Sequence, residues 1–275
     1  MDRRDFLQGL LGRMIALVGG YPLASHLSRS ASWAAATLSE FSETEGRSAG
    51  AGPIKYPGAG ATLEGYLAKP QSEGPHPALL LIHADSGLDE HIRDVARRYA
   101  EEGFVTLAVD QLSRHGGTAS FASPDAARKN IEALTSEQVT ADLDAAFAYL
   151  QSNPSVRHDR IGIMGCAWGG RMAFLYAASN PELKAAVVFY GVAPPEDSVA
   201  AVTCPVLAHY GETDTRMSLK MPETAALMKQ YGKSFHPKNY SAAGSGFFND
   251  TSPASDDAAK EAWQRTIRFL RKNLG

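Results

Sequence analysis

Between residues 161 and 170 the chain reads Ile-Gly-Ile-Met-Gly-Cys-Ala-Trp-Gly-Gly, an apolar run that closes on small residues and leads into a helix-forming stretch. A strand, a sharp turn and a helix in that order make the bend that presents a nucleophile in G-x-nucleophile-x-G elbows. Side chains two positions either side of its apex would collide. Fitted to that template, Gly165 and Gly169 take the crowded positions and Ala167 the apex. A methyl group cannot attack a carbonyl. In a register one residue earlier Cys166 becomes the apex, and a thiol is a competent nucleophile once ionised. That register puts Met164 and Trp168 in the crowded positions, so Cys166 reads as a small apolar filler, as does Cys204.

Other polar residues carry two readings each. In the loop Asp110 to Gly117, Arg114 could pair with a substrate carboxylate and His115 could act as a base. Solvated surface polarity is the default for such a loop. His83 and His209 stand at or inside strand-like runs and read as satisfied structural histidines. Asp85 could ionise in a pocket, where without a partner it would repel anions. Trp168, Tyr190 and Phe247 read as pocket lining or as core. The histidines lack metal-ligand spacing and no phosphate-cradling glycine loop precedes a helix, so neither a metal nor a cofactor is inferred.

The elements that position these residues alternate. A hairpin is expected over 54–57 and 61–68, turning at Gly58-Ala59-Gly60. Strands are expected over 78–82, 104–109, 161–164, 185–190, 206–210 and 235–240. Helices are expected from Ile92, over 124–150 in two pieces, and over 170–178, 222–231 and 256–274. The fold class is therefore α/β: a mostly parallel central sheet with helices on both faces, in one domain. Chemistry in such a sheet sits on the loops leaving the carboxyl ends of the strands, here after Ile82, Val109, Met164 and Tyr210, and between Tyr240 and the last helix.

From about Tyr56 to the C-terminus the chain resembles the dienelactone hydrolase family of α/β-hydrolases. The likeness rests on Gly65-Tyr66-Leu67-Ala68-Lys69-Pro70, Asp94-Val95-Ala96-Arg97-Arg98, the elbow, Phe189-Tyr190-Gly191, Gly211-Glu212-Thr213-Asp214 and Gly246-Phe247-Phe248-Asn249-Asp250. The resemblance implies lactone or ester hydrolysis by a Cys-His-Asp triad, with a glutamate after the first core strand modulating the cysteine. Carried over residue by residue, the acid falls on Asp214, the nucleophile on Ala167, the histidine on Ser245 and the glutamate on Ala84. Three of these four positions have lost the required chemistry. Triad members act as a unit, so once the nucleophile is lost the others contribute almost nothing to turnover. The oxyanion-hole donors, the backbone N–H groups of Trp168 and Asp85, survive any side-chain change at the apex.

Of 275 residues, 44% are hydrophobic and 21% charged, with a net charge of −3. Slight acidity argues against a nucleic-acid surface, and no run of 18 apolar residues suggests stable membrane insertion. Arg3-Arg4 ahead of Phe6, Leu7, Leu10, Leu11 and the 14–18 apolar stretch resembles a twin-arginine export signal, with Ala34-Ala35-Ala36 supplying small residues for cleavage. The expected organisation is a signal over 1–36, a linker over 37–52 and the α/β-hydrolase domain over 53–275, exported to the periplasm. A cytoplasmic protein with an amphipathic N-terminal helix is the alternative. The leading functional expectation is a pocket that binds a small carbonyl or carboxylate compound without covalent hydrolysis. The second is an ester or lactone hydrolase using Cys166 or a water activated by His115, and the third a non-catalytic scaffold for a partner. Oligomeric state is not read from the sequence.

Overall fold

Ala78 to Ile82 is a continuous apolar run, and in the computed structural model all five residues are fully excluded from solvent. A strand covered on both faces has this pattern. It belongs to β3 (His76–Ile82), next to the middle of an eight-stranded sheet of order β1-β2-β4-β3-β5-β6-β7-β8. The structure describes residues 50–241, 243–244, 246–248 and 256–275, apart from the side chains of 216–218 and 256. The expected export signal, most of the linker, and Ser245 lie outside the described residues.

β1 (Ala51–Gly58) and β2 (Ala61–Ala68) form the expected hairpin, and β2 runs antiparallel to β4 (Val105–Asp110). β1 starts at Ala51, so the last two residues assigned to the linker are paired with Leu67 and Ala68 instead. β5 (Val156–Cys166), β6 (Ala185–Phe189), β7 (Val206–Gly211) and β8 (Phe235–Tyr240) complete the parallel part. The chain fills β4 on one side of β3 and then β5 on the other. Strand order therefore reverses at β3, and its loop and the β5 loop open beside each other. Such a switch point is where open α/β sheets bind ligands.

The helices are started by local chemistry. The Asp89 carboxylate caps α1 (Glu90–Glu101) by accepting from Ile92 N–H. Ser123 caps α2 (Pro124–Glu132), with proline at the first helical position. Thr135 and Gln138 form a reciprocal capping box on α3 (Ser136–Ser152). α4 (Trp168–Ser179) follows β5, and α5 (Glu196–Val199) is a single turn after β6. α6 (Thr215–Gln230) corrects the expected start at Pro222, because the proline lies inside the helix. α7 (Asp256–Leu274) closes the fold at its expected bounds.

Candidate active site

The bend between β5 and α4 is where the sequence pattern places it. Ala167 has φ 51° and ψ −115°, and with Tyr190 it is one of two described non-glycine residues at positive φ. Holding a side chain there costs on the order of 1–3 kcal/mol. A Cβ on Gly165 would run into the Gly169 carbonyl, and one on Gly169 into the carbonyls of His83 and Ile82. The glycines are thus forced by the close approach of α4 to β5 and to the β3 loop. Ala167 is the apex of the turn, and the group it offers is a methyl.

Cys166 is the last residue of β5, paired with Phe189 and 4% exposed. Burial pushes the thiol up to about 12, against the smaller pull of the Tyr190 hydrogen bond. At pH 7 only about one thiol in 10⁵ would be ionised, and the thiolate is the reactive form. Cys166 is therefore a buried, un-ionised thiol at the end of a strand.

Two amides at the bend remain open. Trp168 is the first residue of α4, where N–H groups lack intrahelical partners. Among the described residues neither Trp168 N–H nor Asp85 N–H has a backbone partner, whereas Ala167 N–H donates to Phe189. Ala84 and Asp85 follow β3, in a turn closed by Gly87 N–H on the Ala84 carbonyl.

The Trp168 ring stacks on His83, with centroids 5.8 Å apart and planes 12° from parallel, and packs against Leu112, Ala127 and Ile131. His83 has both ring nitrogens engaged. Nδ1 lies 2.6 Å from the Ala84 carbonyl, which can only accept, and Nε2 lies 3.2 Å from Gln111 N–H, which can only donate. These partners fix the neutral tautomer, and burial lowers its pKa. His209 is held the same way in the core, by the Tyr240 and Thr266 hydroxyls, and burial takes it down to about 3.

Asp214 follows β7 and is half-buried. Its loop is clamped to the segment before Ser245: Thr213 donates through both its N–H and its hydroxyl to the Ala243 carbonyl. Tyr190 and Phe247 meet edge to face at 5.6 Å, and both are buried in an aromatic group with Phe189.

Arg114 has a partner within the fold, and His115 stands on the surface as the default reading of this loop has it. Arg114 makes a forked contact with Asp142 on α3, at 2.7 to 3.1 Å, and reaches the Ala59 carbonyl at 3.0 Å. It ties the β4 loop to α3 and to the first hairpin, and is not offered to a pocket. His115 is exposed in a single 3-10 turn, Ser113–His115. The loop is organised by Asp110, which accepts from Leu112 N–H, Thr118 N–H and the Thr118 hydroxyl. That hydroxyl in turn accepts from Leu88 N–H on the β3 loop. Asp85 is not unpaired: Arg128 Nε of α2 lies 3.0 Å from Oδ2. Neither the Thr118–Leu88 link nor the Arg128–Asp85 pair shows in the sequence, because each joins residues of different loops and elements brought together by the fold. Among the described residues no three His, Cys, Asp or Glu side chains gather to hold a metal, and no helix is long and apolar enough to cross a membrane.

An eight-stranded, mostly parallel sheet with a strained strand–turn–helix bend over the β3 loop is an α/β-hydrolase fold. Within that class the chain belongs to the dienelactone hydrolase family, whose sequence profile matches residues 63–274. A protein of Escherichia coli K12 that carries the provisional name carboxymethylenebutenolidase is 34% identical over 242 residues, 82% of this chain and 88% of its own length. A Bradyrhizobium protein, provisionally named a 2-oxo-3-(5-oxofuran-2-ylidene)propanoate lactonase, is 35% identical over 222 residues, 76% of this chain and 89% of its own. The crystal structure of a Klebsiella pneumoniae protein, provisionally called a dienelactone hydrolase, superposes with a TM-score of 0.73. It is 29% identical and covers 80% of this chain and 98% of its own.

Proposed function

We propose that this protein keeps the binding pocket of its family and has given up covalent hydrolysis. It binds a small carbonyl or carboxylate compound, lactone- or ester-like, with the carbonyl oxygen against the Trp168 and Asp85 amides. The observation that carries this reading is Ala167 at the strained apex of the elbow, φ 51°. The Bradyrhizobium relative is named a lactonase, a lactone is a cyclic ester, and that chemistry supplies the ligand class. Preorganised N–H donors stabilise charge growing on a carbonyl oxygen without any nucleophile, and in a protease stripped of its triad such binding still left roughly 10³ to 10⁴-fold catalysis over water. Non-covalent chemistry on the bound carbonyl is therefore within reach of the site.

The test is calorimetry and thermal melting of the full chain with small lactones and their open acids. Binding is expected, with a rise in melting temperature, and turnover of an activated ester is expected to be unaffected by Cys166→Ala. If no lactone or acid binds and another protein co-purifies in fixed ratio, the pocket reading fails in favour of a scaffold. The paired arginines at residues 3 and 4 support export by a twin-arginine route, which fractionation of cells with Arg3→Lys and Arg4→Lys variants would check.

A further inference from the structure

α1 and α7 meet where the rings of Tyr99 and Trp263 lie with centroids 4.5 Å apart. Beside that contact is a cleft of about 480 Å3, the size of a small-molecule pocket. Helix periodicity sets its walls. The buried face of α7 runs through Ala262, Thr266, Ile267 and Leu270, which leaves Trp263 half-buried at its margin. On α1, Asp94 and Arg98 stand one turn apart and line the facing wall. No described lining residue belongs to the elbow, the β3 loop or the β4 loop.

The walls combine aromatic surface with positive charge. Phe248 lies with its ring 12° from parallel to the Trp263 indole, centroids 6.3 Å apart, and extends the apolar side of the cleft. The Arg98 guanidinium sits 4.4 Å from the centre of the indole ring. A guanidinium carries its N–H donors in its own plane, so contact through its face leaves its edge to meet an anion. Lys260 is exposed on the same wall and makes no ion pair with a described residue. Among the described lining residues the only acid is Asp94, and it accepts from Arg97 at 3.3 Å. Glu261, next to Lys260, pairs instead with Lys238 and Arg265.

The geometry points to a second binding site in this cleft, for a planar aromatic anion. Its ring lies along Trp263 and Phe248, and its acidic group meets Arg98 and Lys260. The apolar wall supplies affinity for any flat ring, and the two cations select the charged one. Phe248 also touches Phe189, with ring centroids 4.2 Å apart, so the ligand lies one ring away from β6 and not against the open amides of Trp168 and Asp85. The site takes nothing from the reading of Ala167 and stands apart from the pocket at the elbow.

The experiment is calorimetric titration of the full chain with naphthalene-β-sulfonate and with the neutral naphthalene-β-sulfonamide. It is run on the parent and on Lys260→Gln, Arg98→Gln, Trp263→Leu and Trp263→Phe. The parent is expected to bind one sulfonate per chain and to prefer it about tenfold over the sulfonamide, the scale of a charge-assisted hydrogen bond. Lys260→Gln changes only an exposed side chain and should cut that preference about threefold without weakening the sulfonamide. Arg98→Gln should remove most of what remains. Trp263→Leu should weaken both compounds by about three- to tenfold. Trp263→Phe keeps a ring against Tyr99 and should recover part of that loss. Three results overturn the second site: no binding by the parent, equal affinity for the two compounds, or affinity indifferent to both Lys260→Gln and Trp263→Leu. Each leaves the reading of the elbow as it stands.

Discussion

Gly169 lies so close under the His83 carbonyl that a methyl on its Cα would collide with it, and this contact fixes the elbow to the β3 loop. The bend is therefore held by backbone from two strands and not by the side chain at its apex. Its geometry can persist when the apex has no chemistry to perform. Ala167→Gly should relieve the positive-φ strain and, after allowing for glycine's greater unfolded freedom, raise stability by about 1 kcal/mol. For a domain of this size that is a rise of about 2–4 °C in melting temperature. A fall instead would mean that the alanine methyl makes packing contacts worth more than the strain.

The forked contact from Arg114 to Asp142 predicts a stability role without a binding role. Asp142→Ala leaves the Arg114 guanidinium half-enclosed without its partner, and burial of an unpaired charge is costly. A loss of about 2–4 kcal/mol in urea denaturation is expected. Arg114→Gln should likewise destabilise while leaving ligand affinity unchanged. A large fall in affinity with intact stability would return Arg114 to the pocket.

How much of this was legible beforehand depends on the range of the interaction. β3 reads directly from five consecutive apolar residues, and the elbow from two glycines whose spacing a crowded turn demands. β8 and α7 were bounded correctly by local pattern. The pattern places the start of α6 seven residues late, because proline is favoured at a helix's first position and nothing local shows the helix running through it. The Arg114 pairing is not legible in the sequence for another reason. Its partner is 28 residues away on a different element, and no local spacing encodes that pairing. The same holds for Arg128 and Asp85, 43 positions apart by number, and for the Thr118 hydroxyl that joins Asp110 to Leu88.

That last junction makes Asp110 a positioning residue for the β3 loop. Thr118→Val leaves Leu88 N–H without its acceptor, and Asp110→Ala strips the Thr118 hydroxyl and N–H of theirs and so frees the acceptor that holds Leu88, each at about 1–3 kcal/mol. Hydrogen exchange at Leu88 should speed up well beyond the average for the domain, and carbonyl ligands should bind less tightly because the Asp85 amide is no longer held. Unchanged protection at Leu88 would show that the glycines alone fix the loop.

His209 predicts a pH dependence with a definite sign. Its folded pKa is about 3, below the ordinary value near 6.5, so the unfolded chain takes up a proton that the folded chain refuses. Stability is unaffected by this group above about pH 6.5 and falls as pH drops from there toward 3, by up to about 1.4 kcal/mol per unit. His83, also lowered by burial, acts in the same direction. The His209 ring resonances should therefore show no titration between pH 7 and 4. A midpoint near 6.5 would mean that the ring is solvated and that the Tyr240 and Thr266 bonds are not maintained.

The account turns on whether any side chain in the cleft can become acylated. Intact mass spectrometry of the folded protein after exposure to p-nitrophenyl acetate, with the adduct located by peptide mapping, asks this directly. No acyl group is expected at residues 165–170, and Ala84→Glu, Ala167→Cys and Ser245→His combined should introduce one at position 167. An acetylated Cys166 in the native protein, with turnover lost in Cys166→Ala, would contradict it.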